Sequence, residues 1–360
     1  MIPEPRDESE LAEAVRAHRR VLPIGNGTKS GLANAPGATL LRTTRLSGIV
    51  EYEPTEYTFT ARAGTTLAEV ADLLAQHHQY LPFDPPLLAA GATLGGTVAA
   101  GMSGPGRLRY GGVRDFVIGV RWIDGSGQAV RGGGKVVKNA AGFDFPKLFC
   151  GSLGRLGILT ELSFKVFPAP ETRRTLRIPC PSIGDATALV ARIASQPWEV
   201  EALEIITNPE TAVLARFMGD SAPLAGRVAA IAAACGPRCS ILHESEAATL
   251  WNSLQSLSLP GSSPDGPLLK VPITLSRLPE IERALAPITS ARHYSIAGNL
   301  ALIAPSDEAA TAQTLDALGL PTLRLRGQGA ARIGPRPSAD MEDRTARAMD
   351  PDHRFVPLSE

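Results

Sequence analysis

The chain has 360 residues with 36 basic and 36 acidic side chains, a balance that excludes a global field drawing it to nucleic acid or to an anionic membrane. Domains usually hold roughly 100 to 200 residues, so this length suits two, each able to bury a sizeable core. The first twenty residues are charged, and no run of about 18 apolar residues is present to span a bilayer, so a cytoplasmic chain with no direct membrane anchor is expected.

In chain order, Leu11, Ala12, Val15 and His18 fall on one helical stripe between Glu8 and Arg19, and VLPIG follows as a short strand. Alternation between Thr39 and Ala63 predicts strands. Thr66, with Glu69 three positions on, predicts a capping box opening a helix that ends near His77 and His78. VIGVRWI, a DGSGQ turn and AVR predict a hairpin, and GILTELSFKVFPAP a strand ended by prolines. Pro168 and Pro170 mark the expected domain boundary. Beyond it, RRTLRI, VEALEII, AVLARFM and LLKVPITL read as strands and GDATALVARIA, LAGRVAAIAAA and LPEIERALAPI as helices, a separate α+β layer without a strict sequence repeat. A last strand, TLRLRG, precedes a proline- and charge-rich tail. Cys150, Cys180, Cys235 and Cys239 are too few and too irregular for a disulfide framework, and the C-x3-C of the last two lacks further ligands nearby, so free thiols and no metal are expected.

Three loops of the first half offer backbone N–H groups unencumbered by side chains. In PIGNGTKSG, residues 23–31, three glycines let the chain curl, a composition suited to an anion-binding nest. It is neither a nucleotide P-loop nor a dinucleotide fingerprint, and alone it reads equally as a surface turn. Residues 91–112 hold eight glycines, and there Gly95 and Gly96 precede TVAA, which places free N–H groups at the start of a short helix where negative charge is favoured. In GSLGRLGIL, residues 151–159, glycines run into a strand; they allow a planar ring close to the backbone, and tight packing explains them equally.

The order PIGNGTKSG, ATLGGTVA, RYG and KNAAGFDFPKLFCGSLGRLGILTE resembles the FAD-binding domain of the vanillyl-alcohol oxidase and p-cresol methylhydroxylase (PCMH) superfamily over about residues 1–170. Within it the sequence looks most like the E-subunit family of the bacterial glycolate oxidase complex. The resemblance implies an α+β chain: a PCMH-type FAD-binding domain of two α+β subdomains over 1–170, a shortened ferredoxin-like cap over 171–326 and a tail over 327–360. It implies FAD with its pyrophosphate on two clamps, one of Gly25, Asn26, Gly27, Thr28, Lys29 and Ser30, the other of Ala92, Thr93, Gly95 and Gly96. Ser103, Gly104, Arg109, Tyr110 and Gly111 fall where relatives line the flavin, Tyr110 packing against it, and Gly157 and Ile158 where they present backbone to it. Some relatives tether the flavin to a histidine of the first loop. Gly27 and Thr28 stand there in this chain, which implies noncovalent FAD.

The resemblance thins at HYSIAGNLALIAP, residues 293–305, where hydroxy-acid-oxidising relatives carry a segment like H-A-G-D-G-N-L-H. Gly298, Asn299 and Leu300 remain, but Ala301 and Leu302 follow and the histidine pair is gone, so proton abstraction from glycolate lacks its usual base. His293, the nearest candidate, reads as a partly exposed edge residue rather than a base. Lys138 and Asn139 read equally as groups facing the flavin and as a solvated strand end. Arg332 and Arg336 could pair a carboxylate, although tail arginines usually face solvent. The resemblance implies a subunit that supports oxidation of a small 2-hydroxy acid, glycolate, beside a larger FAD-containing subunit and an iron–sulfur subunit, through which any membrane association would come. A self-sufficient FAD oxidoreductase and a scaffold without flavin turnover are the alternatives.

Overall fold

The computed structural model describes residues 2–134 and 142–357; Lys138 and Asn139 lie outside the described residues. The chain divides into two compact units, one of Met1–Ser103, Gly111–Ala169 and Arg336–Glu360, the other of Gly104–Tyr110 and Pro170–Pro335.

The first unit opens with α1 (Glu8–Ala17), capped by Asp7 and burying the expected Leu11, Ala12 and Val15. The strand β1 (Val21–Ile24) then pairs in parallel with β2 (Thr39–Arg42). A five-stranded antiparallel sheet is built from β3 (Ile49–Glu53), β4 (Thr58–Arg62), β6 (Val117–Ile123), β7 (Ala129–Gly133) and β8 (Ile158–Lys165), in the order β3-β4-β8-β6-β7. A two-stranded ladder joins β5 (Gln79–Tyr80) to β9 (Phe167–Pro168). The capping box forms as expected at α2 (Leu67–Ala75): the Glu69 N–H donates to Thr66 Oγ1 at 3.2 Å and the Thr66 N–H to Glu69 Oε2 at 2.8 Å. The glycine run supplies α3 (Leu94–Ala99), and α4 (Arg107–Tyr110) follows on residues grouped with the second unit. Last comes α5 (Phe145–Phe149). Buried rings fill the sheet's core, with Phe59 stacked on Phe164 at 5.4 Å and Phe83 tilted against Phe116 at 5.5 Å.

The second unit is one nine-stranded sheet made of two ferredoxin-like βαββαβ repeats. The first repeat is β10 (Thr172–Pro179), α6 (Ile183–Ala194), β11 (Ala202–Ile206), β12 (Ala212–Gly219), α7 (Ser221–Cys235) and β13 (Ser240–Ile241). After α8 (Glu244–Gln255) the second runs β14 (Leu268–Pro272), α9 (Leu278–Leu285), β15 (Thr289–Ser295), β16 (Leu300–Pro305), α10 (Glu308–Ala317) and β17 (Thr322–Arg326), followed by β18 (Arg332–Ile333). The strand order is β13-β10-β12-β11-β15-β16-β14-β17-β18, so the repeats meet where β11 pairs with β15. The α6, α7, α9 and α10 helices contribute Val190, Val228, Ile281 and Leu315 to the main core cluster. All four cysteines are free thiols.

The residues grouped above as a tail are shared between the units. Arg332 lies in β18. From Arg336, before α11 (Ala339–Met349), the chain is grouped with the first unit again, where the Val21 N–H donates to Arg354 O at 2.7 Å and Phe355 is buried among Leu11, Val15 and Ile158. Arg336 finds its carboxylates on that helix, Glu342 at 3.0 Å and Asp343 at 2.7 Å.

Candidate cofactor cavity

The three glycine loops of the first unit meet around one cavity with about 740 Å³ of empty space, part of it open to solvent. Gly25, Asn26, Gly27, Thr28 and Lys29 line it from the first loop, Thr93, Gly95 and Gly96 from the second, and Gly157 and Ile158 from the third.

The loops are locked together by their own atoms. Asn26 Nδ2 donates to Gly91 O at 2.7 Å, which joins the first loop to the second. A Cβ on Gly25 would lie 2.4 Å from Thr93 Oγ1, so glycine is what allows this approach. Gly95 serves packing: a Cβ there would lie 2.8 Å from the Ala63 Cβ. A Cβ on the neighbouring Gly96 would instead lie 3.0 Å from Thr93 Oγ1 and 3.9 Å from Lys29 Nζ.

The expected free N–H groups at the start of α3 are engaged. Leu94 donates to Thr65 O at 2.9 Å, Gly95 to Ala63 O at 2.8 Å and Gly96 to Thr93 Oγ1 at 3.2 Å. The first loop differs. Among the described residues, none of the backbone N–H groups from Gly25 to Lys29 has a protein acceptor. Among the described residues Lys29 is the single charged one lining the cavity, and no acid lines it. Burial lowers the Lys29 ammonium from 10.5 to about 8. Free backbone donors, one cation and no anion are the donor set of a diphosphate site.

The other candidates lie elsewhere. Ser30 is exposed at the start of a 3₁₀ turn, and Ala92 is buried with its N–H on Leu87 O. Ser103 Oγ accepts from the Val113 N–H at 2.9 Å, and Gly111, at φ +87°, turns the chain beside Asp115. Gly104, Arg109 and Tyr110 are grouped with the second unit, where Arg109 pairs with Glu199 at 3.6 Å and Tyr110 Oη donates to Met218 Sδ at 2.8 Å. His293 corrects the expectation of an edge residue: it is 2 % exposed on β15, which lies between β11 and β16, with Nε2 at 2.7 Å from Glu204 Oε2. Reading residue types missed Leu32, Thr43, Ala99 and Leu153, which also line the cavity. Nearness in sequence to the glycine loops pointed to Leu32, Ala99 and Leu153, and nothing to Thr43, which reaches the cavity through the pairing of β1 with β2.

The fold is of the α+β type, and the cavity among the glycine loops is its candidate cofactor site. Residues 1–133 match the FAD binding domain family, so the chain carries that domain, and its cofactor is FAD. The chain is 39 % identical over 224 residues to glycolate oxidase subunit GlcE of Escherichia coli (strain K12), covering 62 % of this chain and 60 % of that one. It is 29 % identical to glycolate oxidase subunit GlcD of Bacillus subtilis (strain 168), over 65 % of this chain and 51 % of that one. The chain thus spans about half to three fifths of the length of these relatives. Among solved structures, an alkyldihydroxyacetonephosphate synthase superposes with a TM-score of 0.71 at 14 % identity, over 99 % of this chain and 76 % of that one, which shows the shared fold. No helix among the described residues is long and apolar enough to cross a membrane.

Proposed function

We propose that the chain is the FAD-binding subunit of a multi-subunit oxidoreductase that converts glycolate, a small 2-hydroxy acid, to glyoxylate, working beside a larger flavin subunit and an iron–sulfur subunit. The observation that carries the reading is the first-loop segment Gly25–Lys29, with its uncommitted N–H groups on a cavity free of acids. The likeness to GlcE and GlcD supports the substrate and the assembly. Bound FAD would supply an acceptor for two electrons and a donor to the next carrier. The residues of this chain would do the holding: Gly25–Lys29 bind the diphosphate, Thr93 and Gly96 wall it, and Gly157 and Ile158 bring backbone beside it. Asn26, already bonded to Gly91 O, sets the distance between the loops. Oxidation of the hydroxy acid is assigned to the assembled complex, because Ala301 stands where the resembling motif carries its second histidine.

The test is the visible absorption spectrum of the purified chain before and after acid precipitation. A yellow protein that releases FAD is expected, and a colourless chain that refuses FAD on reconstitution overturns the reading. Glycolate should bleach the flavin of the co-purified complex. Turnover by the isolated chain at the complex's rate would refute the need for partners.

A further inference from the structure

Lys29 is a cation kept inside a cavity without a counter-charge. Its Nζ donates to Thr28 Oγ1 at 3.2 Å, and among the described residues no carboxylate lies within ion-pair distance. The charged groups nearest the first loop are committed elsewhere. Arg42 on β2 donates to Gly25 O at 3.3 Å and pairs with Glu4 at 3.0 Å, while Arg155, after the third loop's first glycines, donates to Pro357 O at 2.7 Å. Neither lines the cavity. The fall of the Lys29 ammonium to about 8 has burial as its cause, with no charged neighbour contributing. Holding an unpaired ammonium away from water costs free energy, and an anionic ligand in the same cavity would offset that cost.

We propose that Lys29 is the counter-charge for the cofactor's diphosphate and that it engages the diphosphate only as the ammonium, so that wherever the apoprotein has released that proton, cofactor uptake takes one up again. The inference rests on the FAD reading above and adds to it the charge on which recognition turns. No bond of the cofactor is made or broken; where Lys29 is neutral, one proton passes from solvent to its Nζ lone pair and forms the third N–H bond of the ammonium. Below about pH 8 the ammonium is already present in the apoprotein, and affinity is flat with pH. Above it, the free protein has lost the proton that the complex needs, and affinity falls about tenfold per pH unit.

The experiment titrates the full-length apoprotein with FAD, read by quenching of flavin fluorescence, from pH 7 to pH 9.5, for wild type, Lys29→Met and Lys29→Arg. Riboflavin, which has no phosphate, is the control ligand. Apoprotein melting curves report that each variant is folded. Wild-type affinity should fall roughly thirtyfold between pH 7 and pH 9.5, most of it above pH 8. Lys29→Arg should stay flat, since guanidinium does not deprotonate there. Lys29→Met should bind FAD at least tenfold more weakly at pH 7, with no pH slope, and riboflavin should not distinguish the three proteins. A flat wild-type curve, or Lys29→Met binding FAD as tightly as wild type, overturns the role of Lys29 while leaving the FAD reading intact. Failure of the wild-type chain to take up FAD at any pH overturns both.

Discussion

The two units treat buried charge in opposite ways. In the second unit Glu201, fully buried, is held by Arg173 at 3.0 Å and Arg216 at 2.7 Å, and the Arg216 guanidinium lies 4.6 Å from the centre of the Trp251 ring. Glu282 is likewise held by Arg292 at 2.8 Å and by the Tyr294 hydroxyl. These charges are compensated where they stand, so they specify packing and registry. Lys29 in the first unit is half-buried beside a cavity with one hydroxyl for company. A charge the fold satisfies belongs to the fold; a charge it leaves unsatisfied beside a cavity points to a ligand.

The largest effects should come from breaking that contrast. Glu201→Gln leaves two arginines facing each other without their carboxylate and should lower stability by about 3 to 5 kcal/mol, read from the urea midpoint. A loss below about 1 kcal/mol would mean that the pair behaves as a surface contact. Lys29→Met should act in the opposite sense, stabilising the apoprotein at pH 7 by about 3 kcal/mol, the equivalent of a fall from 10.5 to about 8. Because the folded value lies below the unfolded one, wild-type apoprotein should gain stability as pH rises from about 8 to 10.5, where the unfolded chain still holds a proton that the folded chain has released. FAD affinity should fall over the lower part of the same range. Parallel trends in the two quantities would contradict the assignment.

A finer contrast lies in two adjacent glycines. Gly95→Ala should cost about 1 to 3 kcal/mol of stability, because its Cβ would press on Ala63. Gly96→Val should weaken FAD binding tenfold or more while shifting apoprotein stability by no more than about 1 kcal/mol. If Gly96→Val kept full FAD occupancy, the second loop would not be a wall of the cofactor site.

Much of this was legible along the chain because it is local. The stripe of α1, the Thr66–Glu69 box and the helices of the second unit with strong apolar periodicity announce themselves by spacing, while the meeting of the glycine loops was implied only by the family resemblance that their order carries. What spacing hid is nonlocal or weakly amphipathic. Helix α8 buries Leu254 alone, α10 only Thr311 and Leu315, and α11 nothing, so none shows an apolar stripe. Nothing near Phe355 says that it joins Val21. His293 reads as an edge residue until β11 is seen beside it, and the two ferredoxin-like repeats share topology without sharing sequence. The N–H groups of Leu94 and Gly95 look free in sequence because their acceptors, Thr65 and Ala63, lie some 30 residues upstream.

The smallest effect should come from the Thr66 cap. Thr66→Ala removes the hydroxyl that accepts the Glu69 N–H and should cost about 1 kcal/mol in the apoprotein melt. The site lies beside the second loop, since Thr66 and Thr93 form an isolated antiparallel bridge. Yet the bonds that seat the loop are backbone ones, from the Leu67 N–H to Ala92 O at 2.8 Å and from the Leu94 N–H to Thr65 O at 2.9 Å, and both survive the substitution. FAD affinity measured by fluorescence quenching should therefore change less than about threefold, within 1 kcal/mol. A tenfold loss would show that the cap of α2, and not the backbone ladder, sets the position of the cavity wall.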